Sequence, residues 1–172
     1  GTYATPNTGY FTGGLSPGNV STVDRLDYSS DTETMATKGP LSVARYGAGS
    51  ASNASFGYIA GGTVPETSIV DRIDYLNDTV TASSKGPLSV IRYSHGATGN
   101  ADFGYFGGGH TSGVVSSVDR IDYSNDTATA VAKGPLSRTT YSSAATGSAS
   151  FGYFGGGTPA QSIVERIDYS ND

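Results

Sequence analysis

The chain has 172 residues, with 35% hydrophobic residues and 25 glycines, too little bulky apolar material for one thick core but enough for thin sheets packed through small side chains and Tyr or Phe rings. A net charge of -5 excludes the basic footprint of a nucleic-acid binder, and the lack of cysteine excludes a disulfide framework and thiolate metal ligation. No apolar run approaches the roughly 18 residues of a membrane-spanning helix, and Gly1 opens on polar sequence with no apolar leader.

The chain repeats itself. A Gly-Tyr pair recurs at Gly9, Gly57, Gly104 and Gly152, spacings of 48, 47 and 48 residues, so one supersecondary unit is predicted per period. An acidic phrase keeps step with it: Asp24 to Tyr28, Asp71 to Tyr75, Asp119 to Tyr123 and Glu165 to Tyr169. A third phrase, KGPLS, begins at Lys38, Lys85 and Lys133.

In chain order, Gly1 to Asn7 read as the shortened tail of a first strand, a. Strand b follows at Gly9 to Thr12, then a loop from Gly13 to Asn19 containing Pro17-Gly18, then strand c to Tyr28 and strand d to Thr37. The third period shows the complete pattern. Strand a is Tyr93 to Thr98, stopped by Gly99-Asn100; strand b is Phe103 to Phe106, closed by three glycines that permit positive φ and close chain approach. Strand c is Ser117 to Tyr123, ending in the Ser124-Asn125-Asp126 turn, and strand d is Thr127 to Ala132, stopped by Gly134-Pro135. The predicted units are 1–39, 40–86, 87–134 and 135–172 of a single repeat domain, the first and last incomplete, with roughly fifteen strands in all.

Four short antiparallel strands at this period are the signature of a propeller blade. The glycine doublet after an aromatic strand, the Val-x-x-Ile-Asp-Tyr strand and the Pro-x-x-x-Arg-Tyr lead into the next strand resemble the kelch repeat over essentially the whole chain, although the tryptophan usual near strand d is missing. The wording DRIDYSNDTAT followed by KGPLS is also similar to repeats of virion or tail-fibre proteins of marine tailed phages. The resemblance implies an all-β, kelch-like β-propeller of about four blades in an extracellular or virion setting. Three arrangements fit: a four-bladed ring with one ragged blade, an open arc completed by another chain, and a piece of a longer array. Gly1 to Pro6 could close the last blade as a short d strand or serve as a short a strand.

No catalytic constellation stands out, and no cofactor is expected. Positions constant among copies are those the unit itself needs, so Arg25, Asp27, Arg72, Asp74, Arg120, Asp122, Arg166 and Asp168 are expected to form part-buried ion pairs between units. The b-to-c loops differ in length and chemistry, carrying Glu66, His110 and Gln161. Alternation places them on the same side as the KGPLS segments, with Lys38, Lys85, Lys133, Arg45, Arg92 and Arg138. That side is the candidate surface for a glycan or protein ligand.

His95 and His110 lack the partners of a transition-metal site, the missing cysteine excludes galactose-oxidase-like copper chemistry, and Asn77-Asp78 and Asn125-Asp126 read as turns before Ca²⁺ ligands. The Asn-x-Ser/Thr matches, such as Asn53-Ala54-Ser55, are those expected by chance in Ser/Thr-rich sequence. Three functions follow in order: a non-enzymatic structural or adhesion module, a self-assembling scaffold without a ligand, and a glycan-processing enzyme.

Overall fold

The structure, a computed structural model, describes residues 2–4, 7–30, 32–160 and 162–172. Among them, fifteen strands form four antiparallel sheets. Sheet I contains β1 (Thr2–Ala4), β2 (Thr8–Leu15), β3 (Asn19–Asp27) and β4 (Ala36–Thr37). Sheet II contains β5 (Gly49–Ser52), β6 (Phe56–Ala60), β7 (Val70–Asp74) and β8 (Ser83–Lys85). Sheet III contains β9 (Gly96–Gly99), β10 (Phe103–Gly107), β11 (Val118–Asp122) and β12 (Val131–Lys133). Sheet IV has three strands, β13 (Ala144–Gly147), β14 (Phe151–Gly155) and β15 (Val164–Asp168).

Each sheet is a simple meander in chain order, as the short turns between strands require. The register repeats as faithfully as the sequence: Tyr10 faces Arg25, Tyr58 faces Arg72, Tyr105 faces Arg120 and Tyr153 faces Arg166 across the central strand pair. Successive sheets meet through their first strands, β1 with β5, β5 with β9 and β9 with β13; among the described residues none of the extensive strand contacts joins sheet I to sheet IV.

Strand alternation divides the apolar residues between the two faces of every sheet. Tyr10 and Val23 on sheet I pack forward against Ile59 and Ile73 on sheet II, with Leu41 and Ala82 between them. Tyr58 and Val70 pack forward against Phe106 and Ile121. Tyr105, Val118 and Leu136 meet Phe154 and Tyr169. The core is therefore three thin layers, the first filled by Tyr10 against two isoleucines and the other two by a tyrosine against a phenylalanine of the next sheet. Burying a Val, Ile or Phe side chain contributes roughly 1.5–3 kcal/mol, so stability accumulates layer by layer.

The glycine doublets permit this spacing. Gly61 and Gly108 have φ of 64° and 68°, and a Cβ on either would run into the carbonyl oxygen of Arg92 or Thr140 in the following unit. The next residue's amide donates to that same carbonyl, Gly62 to Arg92 at 2.9 Å and Gly109 to Thr140 at 2.7 Å.

Several boundaries differ from the sequence expectation. The stretch Gly13 to Asn19 is largely hairpin, since β2 and β3 continue pairing through a register shift between Thr12 and Gly14. Strand d starts later than Thr127: Tyr123–Asn125 is a 3-10 turn and Ala128 donates back to the Asn125 carbonyl, leaving only Val131–Lys133 extended. Strand a starts after a break at Ser94 and Ser142, with φ of 52° and 54°, where Gly47 stands in the second unit. Thr2–Ala4 takes the a position, pairing with β2; Gly1, Thr5 and Pro6 lie outside the described residues.

Candidate functional site: carboxylate clasps between the sheets

The charged residues common to the repeats meet between sheets, around an aspartate that ends the c-to-d turn. The Asp78 carboxylate of unit two accepts from the Tyr10 hydroxyl at 2.9 Å and Arg25 at 2.8 Å, with the Lys38 ammonium at 3.4 Å. Asp126 repeats this with Tyr58 at 3.0 Å, Arg72 at 2.7 Å and Lys85 at 3.4 Å. Asp172 repeats it with Tyr105 at 2.7 Å, Arg120 at 2.9 Å and Lys133 at 3.3 Å. Three donors from one sheet thus close on one carboxylate of the next. Burial alone would raise the Asp172 pKa, but Tyr105, Lys133 and Arg120 outweigh it and hold that carboxyl below the usual range. The same environment pushes the Tyr10, Tyr58 and Tyr105 hydroxyls up, through burial first and then the adjoining carboxylate.

The arginines also cover aromatic rings. Arg72 lies 4.2 Å above the Phe56 ring centre and Arg120 lies 4.3 Å above that of Phe103, which shields the ion pair from water on one side.

A second, deeper arrangement uses the first acid of the DR(I/L)D phrase. Arg45 is buried, donating to Asp71 at 3.0 Å and to the Ile59 carbonyl at 3.0 Å. Arg92 is buried likewise, 3.6 Å from Asp119 and donating to the Gly108 and Ser117 carbonyls. Asp71 also accepts from the Ser42 amide and hydroxyl, and Asp119 from those of Ser89. Desolvation lowers the pKa of both guanidinium groups, with the adjoining aspartates opposing the shift. Unit four has Thr140 in place of the arginine, while Glu165, in place of the aspartate, keeps the bonds from the Ser137 amide and hydroxyl.

Every residue of KGPLS thereby acquires a reason. Lys85 reaches the clasp, Gly86 leaves room where a Cβ would meet the Ala128 carbonyl, Pro87 ends the strand, Leu88 fills the core layer and Ser89 binds the buried aspartate.

The expected site residues therefore separate. Arg25, Arg72 and Arg120 bridge neighbouring sheets, while Arg166 stacks on Phe151 at 4.6 Å and has no carboxylate within 4 Å among the described residues. Asp27, Asp74, Asp122 and Asp168 are not their partners. Each accepts from the backbone amide two residues on and caps a turn; the hydrogen bonds from Ser29, Ser124 and Ser170 hold Asp27, Asp122 and Asp168 below the usual carboxylate range.

On the expected ligand side, Arg45 and Arg92 have no surface to offer, and Lys38, Lys85 and Lys133 turn to the clasps. Arg138 is exposed, and His110 sits between the Tyr93 and Tyr141 rings at 5.2 and 6.0 Å. Gln161 lies outside the described residues. His95 is buried between sheets II and III beside Phe106, and burial, then the Arg92 charge, push its pKa down to about 3.

The sequence reading missed the central aspartates, taking Asn77-Asp78 and Asn125-Asp126 for turns. The signal was present: a turn accepts Asn, Ser or Gly, yet aspartate recurs at 31, 78, 126 and 172. Among the described residues, no three His, Asp or Glu side chains gather as a metal site, and no helix is long and apolar enough to cross a membrane. Compared with protein-family models and with curated proteins, the chain matches none, so the functional reading rests on this geometry.

Proposed function

We propose that the chain is a non-enzymatic structural module: a run of kelch-like propeller blades in an extracellular or virion appendage, in which invariant residues join blade to blade and the b-to-c loops vary around them. The observation that carries this reading is the triplicated clasp. The tyrosine, arginine and lysine that recur in the first three units are consumed in holding sheets together, with the same atoms at nearly the same distances around Asp78, Asp126 and Asp172. Carboxylates whose oxygens are taken up by donors in this way are engaged in cohesion, which does not suit acid–base turnover.

A secondary adhesive role falls to His110 with its two tyrosines and to the exposed Arg138, which with the exposed Glu66 are residues of the variable side outside the clasps. Glycan-array binding by the wild type and by a His110→Ala/Arg138→Ala variant tests the division. A purely structural module binds with neither protein; specific binding lost in the variant assigns adhesion to that side. Release of sugar from any glycan on the array overturns the non-enzymatic reading.

A further inference from the structure

We propose that the joint between sheets II and III is built to part in acid: a proton on His95 releases it, leaving units one and two held together through Asp78 and units three and four through Asp172.

The repeat itself has no need of this histidine. Ala48 and Ser143 stand at its position in units two and four, and of these three units only the third carries a ring there. That ring is 7% exposed and stands edge-on to Phe106, in the layer that Phe106 shares with Tyr58 and Val70 of sheet II. Its Nε2–Cε1 edge presses on Gly49 and Gly61 of sheet II, and a Cβ on either glycine would collide with it. Neither ring nitrogen has a hydrogen-bond partner among the described residues. A neutral imidazole therefore fills the joint by shape alone.

The surroundings do not compensate a positive charge. The charged groups that face the ring are Arg92 and its partner Asp119, both buried in unit three. Arg92 donates to the Gly108 and Ser117 carbonyls and lies 3.6 Å from Asp119, whereas in the preceding joint Arg45 bonds Asp71 at 3.0 Å. The aspartate thus neutralises its arginine less closely where the histidine sits. From sheet II the ring meets uncharged Gly49 and Gly61, and the Asp126 clasp closes the same joint at the c-to-d turn with Tyr58, Arg72 and Lys85. A proton on His95 sets a second buried cation beside Arg92 with no acceptor at either nitrogen, and parting the sheets lets water reach it. Burial and the Arg92 charge hold the ring neutral in the closed joint, with its pKa down to about 3. The open joint takes up the proton near the ordinary value of about 6.5, so opening gains about tenfold for each pH unit below that.

Hydrogen exchange followed by NMR on the 172-residue chain, from pH 6 to pH 4, reads each joint separately as protection relative to the unfolded chain. The Gly86, Ser94 and Ala130 amides cross the joint between units two and three, donating to the Asp126, Gly47 and Pro87 carbonyls. Those of Gly39 and Ala82 cross the preceding joint, donating to the Asp78 and Pro40 carbonyls. The Asp78 and Asp126 clasps have the same donors, so protonating carboxylates weakens both joints alike and the difference between them belongs to His95. The expected result is protection at Gly86, Ser94 and Ala130 falling about tenfold per pH unit beyond any fall at Gly39 and Ala82, with the excess gone in His95→Ser. Equal loss at the two joints overturns the proposal, and so does an excess that persists in His95→Ser. The comparison of joints within the wild type stands without the variant, so a variant that fails to fold leaves the proposal refutable.

Discussion

Lowering the pH should expose His95. Its ring sits between sheets II and III with neither nitrogen bonded to protein among the described residues, and its pKa is depressed to about 3. A depressed folded pKa means that the neutral ring is what the fold tolerates. The associated stability is fully present above the unfolded value near pH 6.5 and is lost as pH falls toward 3. One proton over that span changes stability by about 1.4 kcal/mol per pH unit, hence about 3 kcal/mol between pH 6.5 and 4, against a whole-domain stability of roughly 5–15 kcal/mol.

His95→Ser isolates this contribution, because unit four has Ser143 at the same position and the carboxylates common to both proteins cancel in the comparison. At pH 7 the variant should be less stable by about 2 kcal/mol, from the void left beside Phe106. The difference should shrink on acidification and change sign at about pH 5, where the proton linkage matches the void. Urea denaturation of both proteins from pH 7 to 4 measures it. A difference that stays constant over the range would show that His95 is not held neutral inside the fold, and the reasoning would fail.

Asp126→Ala removes the acceptor shared by Tyr58, Arg72 and Lys85, leaving a phenol and two cations facing one another. A loss of about 2–4 kcal/mol is expected in chemical denaturation, and a loss under about 0.5 kcal/mol would mean that the clasp is solvated and idle. Gly86→Ala would set a methyl against the Ala128 carbonyl and should cost about 3 kcal/mol, read as a lower thermal midpoint. Gly113→Ala, with nothing within 4 Å of the new carbon, should stay within about 0.5 kcal/mol of wild type.

Within one unit, the sequence carried most of the fold. The 47- and 48-residue spacings, the glycine doublets after the b strand and the Gly-Pro stops define four strands in meander order, because these signals act on neighbouring backbone and need no distant partner. Where local chemistry is ambiguous, the outline blurred. Ser94 and Ser142 adopt the positive φ that Gly47 announces openly in its own unit, and the hairpin through Gly13 and Gly14 keeps pairing where Pro17-Gly18 reads as a loop.

The destination of each charge was decided only between sheets. Alternation places Arg72 on one face and Asp71 on the other, but their partners, Asp126 and Arg45, lie 54 and 26 residues away in sequence. A period-two pattern specifies the side to which a residue points and not the group that waits there. The same limit separated the buried Arg45 and Arg92 from the exposed Arg138 and left Val164 uncovered where Val118 is sealed. Desolvation and burial belong to a pair of packed surfaces, and the amino-acid sequence lists only one surface at a time.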